Sequence, residues 1–198
     1  KGYEVDDILY EADAFQPAFL NMLQNDKDLL EHLNKEWEQE NDDPKFDLFR
    51  QRLESEFMDE SINPSGKLVL FSESVDTLTY LKERLTAELG RTDVLMVTAS
   101  NRKNLGQTIK ENFDANYPSD SMKYNIIITS DVLAEGVNLH RSNVIVNYDS
   151  PWNATRLMQR IGRVNRIGSV APNIYNYMFY PSQQGDKEIQ LYKNALVK

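Results

Sequence analysis

The sequence predicts an α/β fold built on a mainly parallel sheet flanked by helices. Three observations carry that prediction: short apolar runs recur along the chain, segments of helical periodicity separate them, and small hydroxyl or amide residues close each run. Runs that are apolar throughout belong to strands covered on both faces, and parallel neighbours then require right-handed crossovers through the intervening helices.

The first element is a helix from Asp6 to about Glu40, with Phe15, Phe19, Met22, Leu23, Leu29, Leu30, Leu33 and Trp37 at helical spacing among acids. Asn41-Asp42-Asp43-Pro44 interrupts it. Asp43-Pro44 reads as an N-cap and a first-turn proline, launching a helix that carries Phe46, Leu48, Phe49, Leu53 and Phe57 and ends near Asn63-Pro64-Ser65-Gly66. Lys67 to Phe71 is the first strand. Val75, Leu78, Leu81, Leu85 and Leu89 form one stripe of a helix that stops at Gly90. The unit then repeats, with a strand at Val94 to Val97 and a helix from Asn101 to Asn116. A third strand runs from Tyr124 to Thr129 and a fourth covers Val144 to Val146. A helix starts near Asn153, Ile174 to Tyr180 alternates as a fifth strand, and a last helix begins at Gln184. The expected organisation is an acidic helical connector or insertion over 1–43, an α/β domain over 44–183, and a helix over 184–198 that is cut short. Lys1 at the start and a helical pattern at the end suggest a piece of a longer chain.

The 198 residues are 40% hydrophobic and 27% charged, enough for one α/β domain with its own core. No apolar run approaches the length of a membrane span. With no cysteine, disulfides, zinc–thiolate sites and thiol nucleophiles are excluded, and His32 and His140 alone cannot build a metal cluster. The net charge of −9 hides an uneven split, −12 over residues 1–63 and +3 over 64–198. The acidic total therefore excludes only a non-specific basic binder.

In a parallel sheet, working residues gather beyond the carboxyl ends of the strands. Here those ends are Ser72-Glu73-Ser74, Thr98-Ala99-Ser100-Asn101, Thr129-Ser130-Asp131 and Asp149-Ser150. A hydroxyl beside a helix start is a ready anion site, so successive ends of this kind suggest a track for phosphates. Taken singly, each is an ordinary N-cap. Gln159-Arg160-Ile161-Gly162-Arg163-Val164-Asn165-Arg166-Ile167-Gly168 is sharper. Arg163 and Arg166 lie three apart and share a helical face or its frayed end, which suits a phosphate, and Gly162 leaves room for close approach. On charge alone, a solvated basic face is the simpler account.

These ten residues resemble motif VI of the superfamily-two helicases, whose core is Q-x-x-G-R-x-x-R. Ile128 to Leu139 resembles their motif V, Lys67 to Ser72 is similar to motif IV, and Asn147 to Asn153 matches the segment leading into motif VI. The likeness runs in order from about Pro44 to Pro181. G-x-N-L at Gly136 to Leu139 and R-x-x-R-I-G at Arg163 to Gly168 look more like the Swi/Snf group, especially its bacterial HepA-type branch, than like DEAD-box RNA helicases. Those would show His in place of Gln159 and Asp in place of Asn138. The departures favour movement along double-stranded DNA over RNA unwinding.

No G-x-x-x-x-G-K-[ST] occurs. Asp59-Glu60 follows a helix and not a buried strand, and the resemblance makes Asp149 a structural acid, so neither is a magnesium motif. What the resemblance implies is the second RecA-like lobe of a cytosolic or nucleoid motor, with ATP and Mg2+ held mainly by an N-terminal lobe. It assigns Arg163 and Arg166 as arginine fingers, and Glu135, Gly136, Asn138, Gln159 and Gly162 to the nucleotide cleft. Ser72, Thr98, Ser100, Thr129 and Ser130 would grip the DNA backbone. This chain by itself is expected to lack ATPase activity. The competing readings are a non-catalytic doubly wound or nucleotide-sensing module and a degenerate lobe kept as a scaffold; the acidic helices are read as a structural brace.

Overall fold

A computed structural model describes residues 15–16, 18–40, 42–119, 122–133, 136–151, 153–180 and 182. Contacts divide the chain into two units, Lys1–Pro44 and Lys45–Lys198.

The first unit contains helix α1, Phe19–Gln39, which has no buried residue. Its polar face is laced at i,i+4 spacing by Lys27 with Glu31, His32 with Glu36, and Gln24 with Asp28. The residues before Phe15 that were expected to extend this helix, and the helix expected from Gln184, lie outside the described residues.

The second unit is built on five parallel strands: β1 (Leu68–Phe71), β2 (Val94–Val97), β3 (Ile126–Thr129), β4 (Val144–Asn147) and β5 (Tyr175–Met178). Their order across the sheet is β2-β3-β1-β4-β5. Leu68 pairs with Ile126 on one side and Val144 on the other. Because side chains alternate along a strand, the two faces feed two cores. Leu68, Leu70, Ile126, Ile128, Val144 and Val146 meet α2 (Pro44–Arg52) and α3 (Val75–Leu89) through Phe46, Phe49, Leu78, Leu81 and Leu85. Val69, Phe71, Ile127 and Ile145 meet Ile109 and Phe113 of α4 (Arg102–Phe113) and Val164 of α5 (Ala154–Val164).

The parallel α/β expectation holds, and the boundaries that moved did so for identifiable reasons. The helix from Pro44 is α-helical only to Arg52 and widens into a π-turn over Leu53–Phe57, where the Met58 amide reaches back to Leu53 O at 2.9 Å. Beyond it Asn63 is buried and pins the turn, donating to Phe57 O and Lys67 O and accepting from the Lys67 amide. Strand β3 begins at Ile126 and not at Tyr124. The Tyr124 amide is taken by Asn112 Oδ1 and its carbonyl by the buried Lys67 ammonium. Helix α4 ends at Phe113, short of Asn116, because Asn112 turns its side chain to the Lys123 and Tyr124 amides. Helix α3 matches its expected span: Ser74 Oγ accepts from the Thr77 amide, and Gly90, at φ 61°, supplies the left-handed stop.

Candidate functional site

The connections after β1 and β4 leave for opposite faces of the sheet, β1 to α3 and β4 to α5, so the carboxyl ends of these neighbours form the switch point of the fold. They are tied directly. Ser72, after β1, donates its hydroxyl to Asp149 Oδ2 beyond β4, and Lys45 reaches Asp149 Oδ1 at 2.8 Å. Burial alone would raise the Asp149 carboxyl, but the hydrogen bonds from Lys45 and Ser72 outweigh it and hold the group below its ordinary value. Asp149 thus ties the end of β4 to the end of β1 and to the first turn of α2.

The five hydroxyls expected to grip nucleic acid separate into two classes. Ser72, Thr98 and Thr129 are buried. Ser72 serves Asp149, Thr129 Oγ1 donates to Ser130 O, and Thr98 Oγ1 pairs with Ser100 Oγ at 2.9 Å. Those three hydroxyls are engaged within the protein: Thr129 is the last residue of β3, and Ser72 and Thr98 directly follow β1 and β2. Ser100 is exposed and Ser130 half-exposed. Asn101, next to Ser100 in the chain, receives the Thr98 amide and donates to Met96 O, which fixes the turn that presents Ser100.

Helix α5 carries the arginine segment. It starts cleanly because Asn153, in extended conformation, accepts the Thr155 amide. The three arginines of this segment have distinct fates. Arg160 is fully buried, donating to Asp131 Oδ1 at 2.7 Å and Asn147 Oδ1 at 3.0 Å with its guanidinium 5.0 Å from the Phe71 ring centroid. Arg163, one turn on, is half-buried, and its Nε has no hydrogen-bond partner among the described residues. Arg166, past the helix end, is exposed; its Nε donates to Gly162 O at 3.1 Å and its Nη1 to Asn138 Oδ1. Among the described residues neither Arg163 nor Arg166 has a carboxylate partner at ion-pair distance.

The loop that follows β3 returns to these arginines. The Leu139 amide donates to Arg163 O at 2.9 Å, and Asn138 bonds Arg166, so the motif V-like and motif VI-like segments form one surface. Gly136 is exposed at φ 77°, and a Cβ there would lie 2.8 Å from Arg102 Nη2. A Cβ on Gly162 would meet nothing within 4 Å, which leaves open space beside the arginines. Gln159 is half-exposed on α5; Glu135 lies outside the described residues. Asn116, Asn138, His140, Asn165, Arg166 and Ile167 line a crevice of about 460 Å³. His140 is buried at its wall, and among the described residues neither ring nitrogen has a hydrogen-bond partner. Burial pulls its pKa below 6.5, opposed by Asp114 and reinforced by Arg166 and Arg141.

Sequence reasoning missed Arg160, Asp131, Asn147 and Asp114. The available signal for the first three was that Asp131 follows β3 and Asn147 closes β4, the apolar strands on either side of β1, where a buried polar residue needs a partner. Asp114 carried none.

Residues 45–168 match the family described as helicase conserved C-terminal domain. The uncharacterized ATP-dependent helicase YqhH of Bacillus subtilis (strain 168) is 46% identical over 55 residues, covering 27% of this chain and 10% of that protein. The crystal structure of the C-terminal part of the Fun30 ATPase domain is similar at TM-score 0.59 and 22% identity, covering 77% of this chain and 46% of that chain. S. cerevisiae Dbp5 bound to RNA and ADP BeF3 is similar at TM-score 0.52 and 21% identity, covering 76% of this chain and 36% of that chain. At these identities the two structures speak to the fold, that of a RecA-like helicase C-terminal lobe. The chain spans about a tenth of the curated relative's length and less than half of either solved chain.

Proposed function

Because this chain belongs to the family of helicase conserved C-terminal domains, we propose that it is the second lobe of an ATP-driven motor that moves along double-stranded DNA. In this reading ATP and Mg2+ are held mainly by an N-terminal lobe, and Arg163 and Arg166 reach its polyphosphate from this side. Bound nucleotide supplies the phosphoryl group, and the residues of this chain supply charge and orientation.

The observation that carries the reading is that, among the described residues, Arg163 and Arg166 have no carboxylate partner beside the Gly136–Leu139 loop, while Arg160 three residues earlier is paired with Asp131. Guanidiniums without a carboxylate partner fit a polyphosphate, and among the described residues no group of three acidic or histidine side chains is placed to hold a metal. Gly136, Asn138, Gln159 and Gly162 lie along the same segments, and Glu135 is included from its motif position. Since the arginines would come from the opposite lobe, hydrolysis would require closure of the two lobes and product release would permit opening. Double-stranded DNA is favoured by Gln159 and Asn138, the two departures from the DEAD-box pattern; the Swi/Snf-like, HepA-type assignment rests on the same residues together with Arg163 to Gly168.

The test is ATP turnover of the full-length protein with Arg163→Ala and Arg166→Ala. Loss of roughly three or more orders of magnitude in kcat with nucleotide affinity largely kept is expected of such fingers. Unchanged turnover in both variants removes them from the mechanism.

A further inference from the structure

We infer that Asp114 is a positioning residue for Arg166, acting through the side-chain amide of Asn138. The inference rests on the proposed role of Arg166 and extends it to a residue in a different part of the chain.

Asp114 closes α4, 24 residues before Asn138 and 52 before Arg166 in the sequence. Its backbone is held at three points: its amide bonds Lys110 O, and its carbonyl accepts from the Tyr117 amide and from Arg141 Nη2. Its carboxylate is half-buried and divided between its two oxygens. Oδ1 accepts the Asn116 amide at 3.0 Å and stands 3.7 Å from His140 Nδ1; Oδ2 accepts Asn138 Nδ2 at 3.1 Å. A carboxylate can only accept, so Asn138 must turn its NH2 toward Asp114 and its carbonyl oxygen the other way. That oxygen is the acceptor of Arg166 Nη1.

Arg166 lies past the end of α5, where no helix turn constrains its side chain, and two neutral carbonyls hold it: Gly162 O at Nε and Asn138 Oδ1 at Nη1. A direct carboxylate would hold it as firmly but would cancel the charge that a phosphate needs. Placing the carboxylate one amide away orients the guanidinium and leaves it cationic. Without Asp114, the Asn138 amide loses the group that selects its orientation, and an inverted amide would set NH2 against Arg166.

The experiment measures kcat and KM for ATP in the full-length protein, with nucleotide affinity and melting temperature followed in parallel. Asp114→Asn is near-isosteric but can donate as well as accept, so it no longer selects the amide orientation. It should lower kcat by about tenfold, within the range of coupling in one hydrogen-bond network, with nucleotide affinity and melting temperature kept. In an Arg166→Lys background, where the guanidinium fork is gone, the same substitution should cost less than about twofold. Asn138→Asp, which sets a carboxylate directly against Arg166, should also depress kcat. An equal effect of Asp114→Asn in both backgrounds, or a fall explained by lost folding while Asn138→Asp is silent, overturns the positioning role. If Arg166→Ala abolishes turnover and Asp114→Asn does nothing, this inference alone falls. If Arg166→Ala leaves kcat unchanged, this inference falls together with the proposed role of Arg166 as a finger.

Discussion

Arg160 Nε lies 2.7 Å from Asp131 Oδ1, and this pair, buried on the arginine side, locks the arginine helix onto the end of β3. The same guanidinium bonds Asn147 at the end of β4, and Asn147 in turn donates to Asn176 and Tyr177 of β5. Asp131 also holds Arg156 at 3.1 Å. One side chain therefore sets where α5 sits over three strands, and with it where Arg163 and Arg166 emerge.

Replacing Arg160 by Leu should destabilise the chain by about 3 kcal/mol, read from urea unfolding. Breaking a buried pair costs about 3–5 kcal/mol, and the lower end is expected because Asp131 keeps Arg156 and is partly exposed. Arg160→Lys should recover only part of that loss, since an ammonium cannot reproduce the two-directional fork to Asp131 and Asn147. A Leu variant within about 0.5 kcal/mol of the parent, the usual range for an inconsequential surface change, would show that the pair does not anchor α5.

His140 should make the fold sensitive to mild acid. Its folded pKa is lowered from 6.5, first by burial and then by Arg166 and Arg141, with Asp114 pulling the other way. The unfolded chain therefore binds the proton more readily, and stability contributed by neutral His140 is present above pH 6.5 and declines as pH falls below it. Unfolding free energies of the parent and His140→Gln, compared between pH 7.5 and pH 5, should show a shallower decline in the variant. Parallel curves would place the acid sensitivity elsewhere.

The two classes of hydroxyl should respond differently in the full-length protein. Ser100→Ala and Ser130→Ala should weaken nucleic-acid stimulation of ATPase several-fold while leaving basal turnover and melting temperature unchanged, as loss of a backbone contact does. Ser72→Ala should instead lower the melting temperature, because it strips a hydrogen bond from the Asp149 carboxylate. Stimulation measured against double-stranded DNA and RNA of equal length separates the DNA reading from its RNA alternative. Stronger stimulation by RNA would overturn the choice of DNA.

Much of the fold was legible from local pattern. Leu68–Phe71, Val94–Val97 and Val75–Leu89 stand where apolar runs, helical spacing and a stopping glycine place them, because propensity and periodicity act within a few residues. The paired segments around Gly136 and Arg163 were legible as motifs for the same reason: each is contiguous.

Tertiary structure decided which residues of one type do which task. Arg160, Arg163 and Arg166 are chemically alike and closely spaced, yet one is buried on Asp131 while the other two have no carboxylate partner among the described residues. Ser72 and Ser100 both close strands, yet only the second faces solvent. Asp114 meets Asn138 only because the ends of α4 and of the loop after β3 fold together. Such outcomes depend on distances between residues tens of positions apart, fixed by the strand order and by which charges find partners when water is excluded. No window along the chain contains that information.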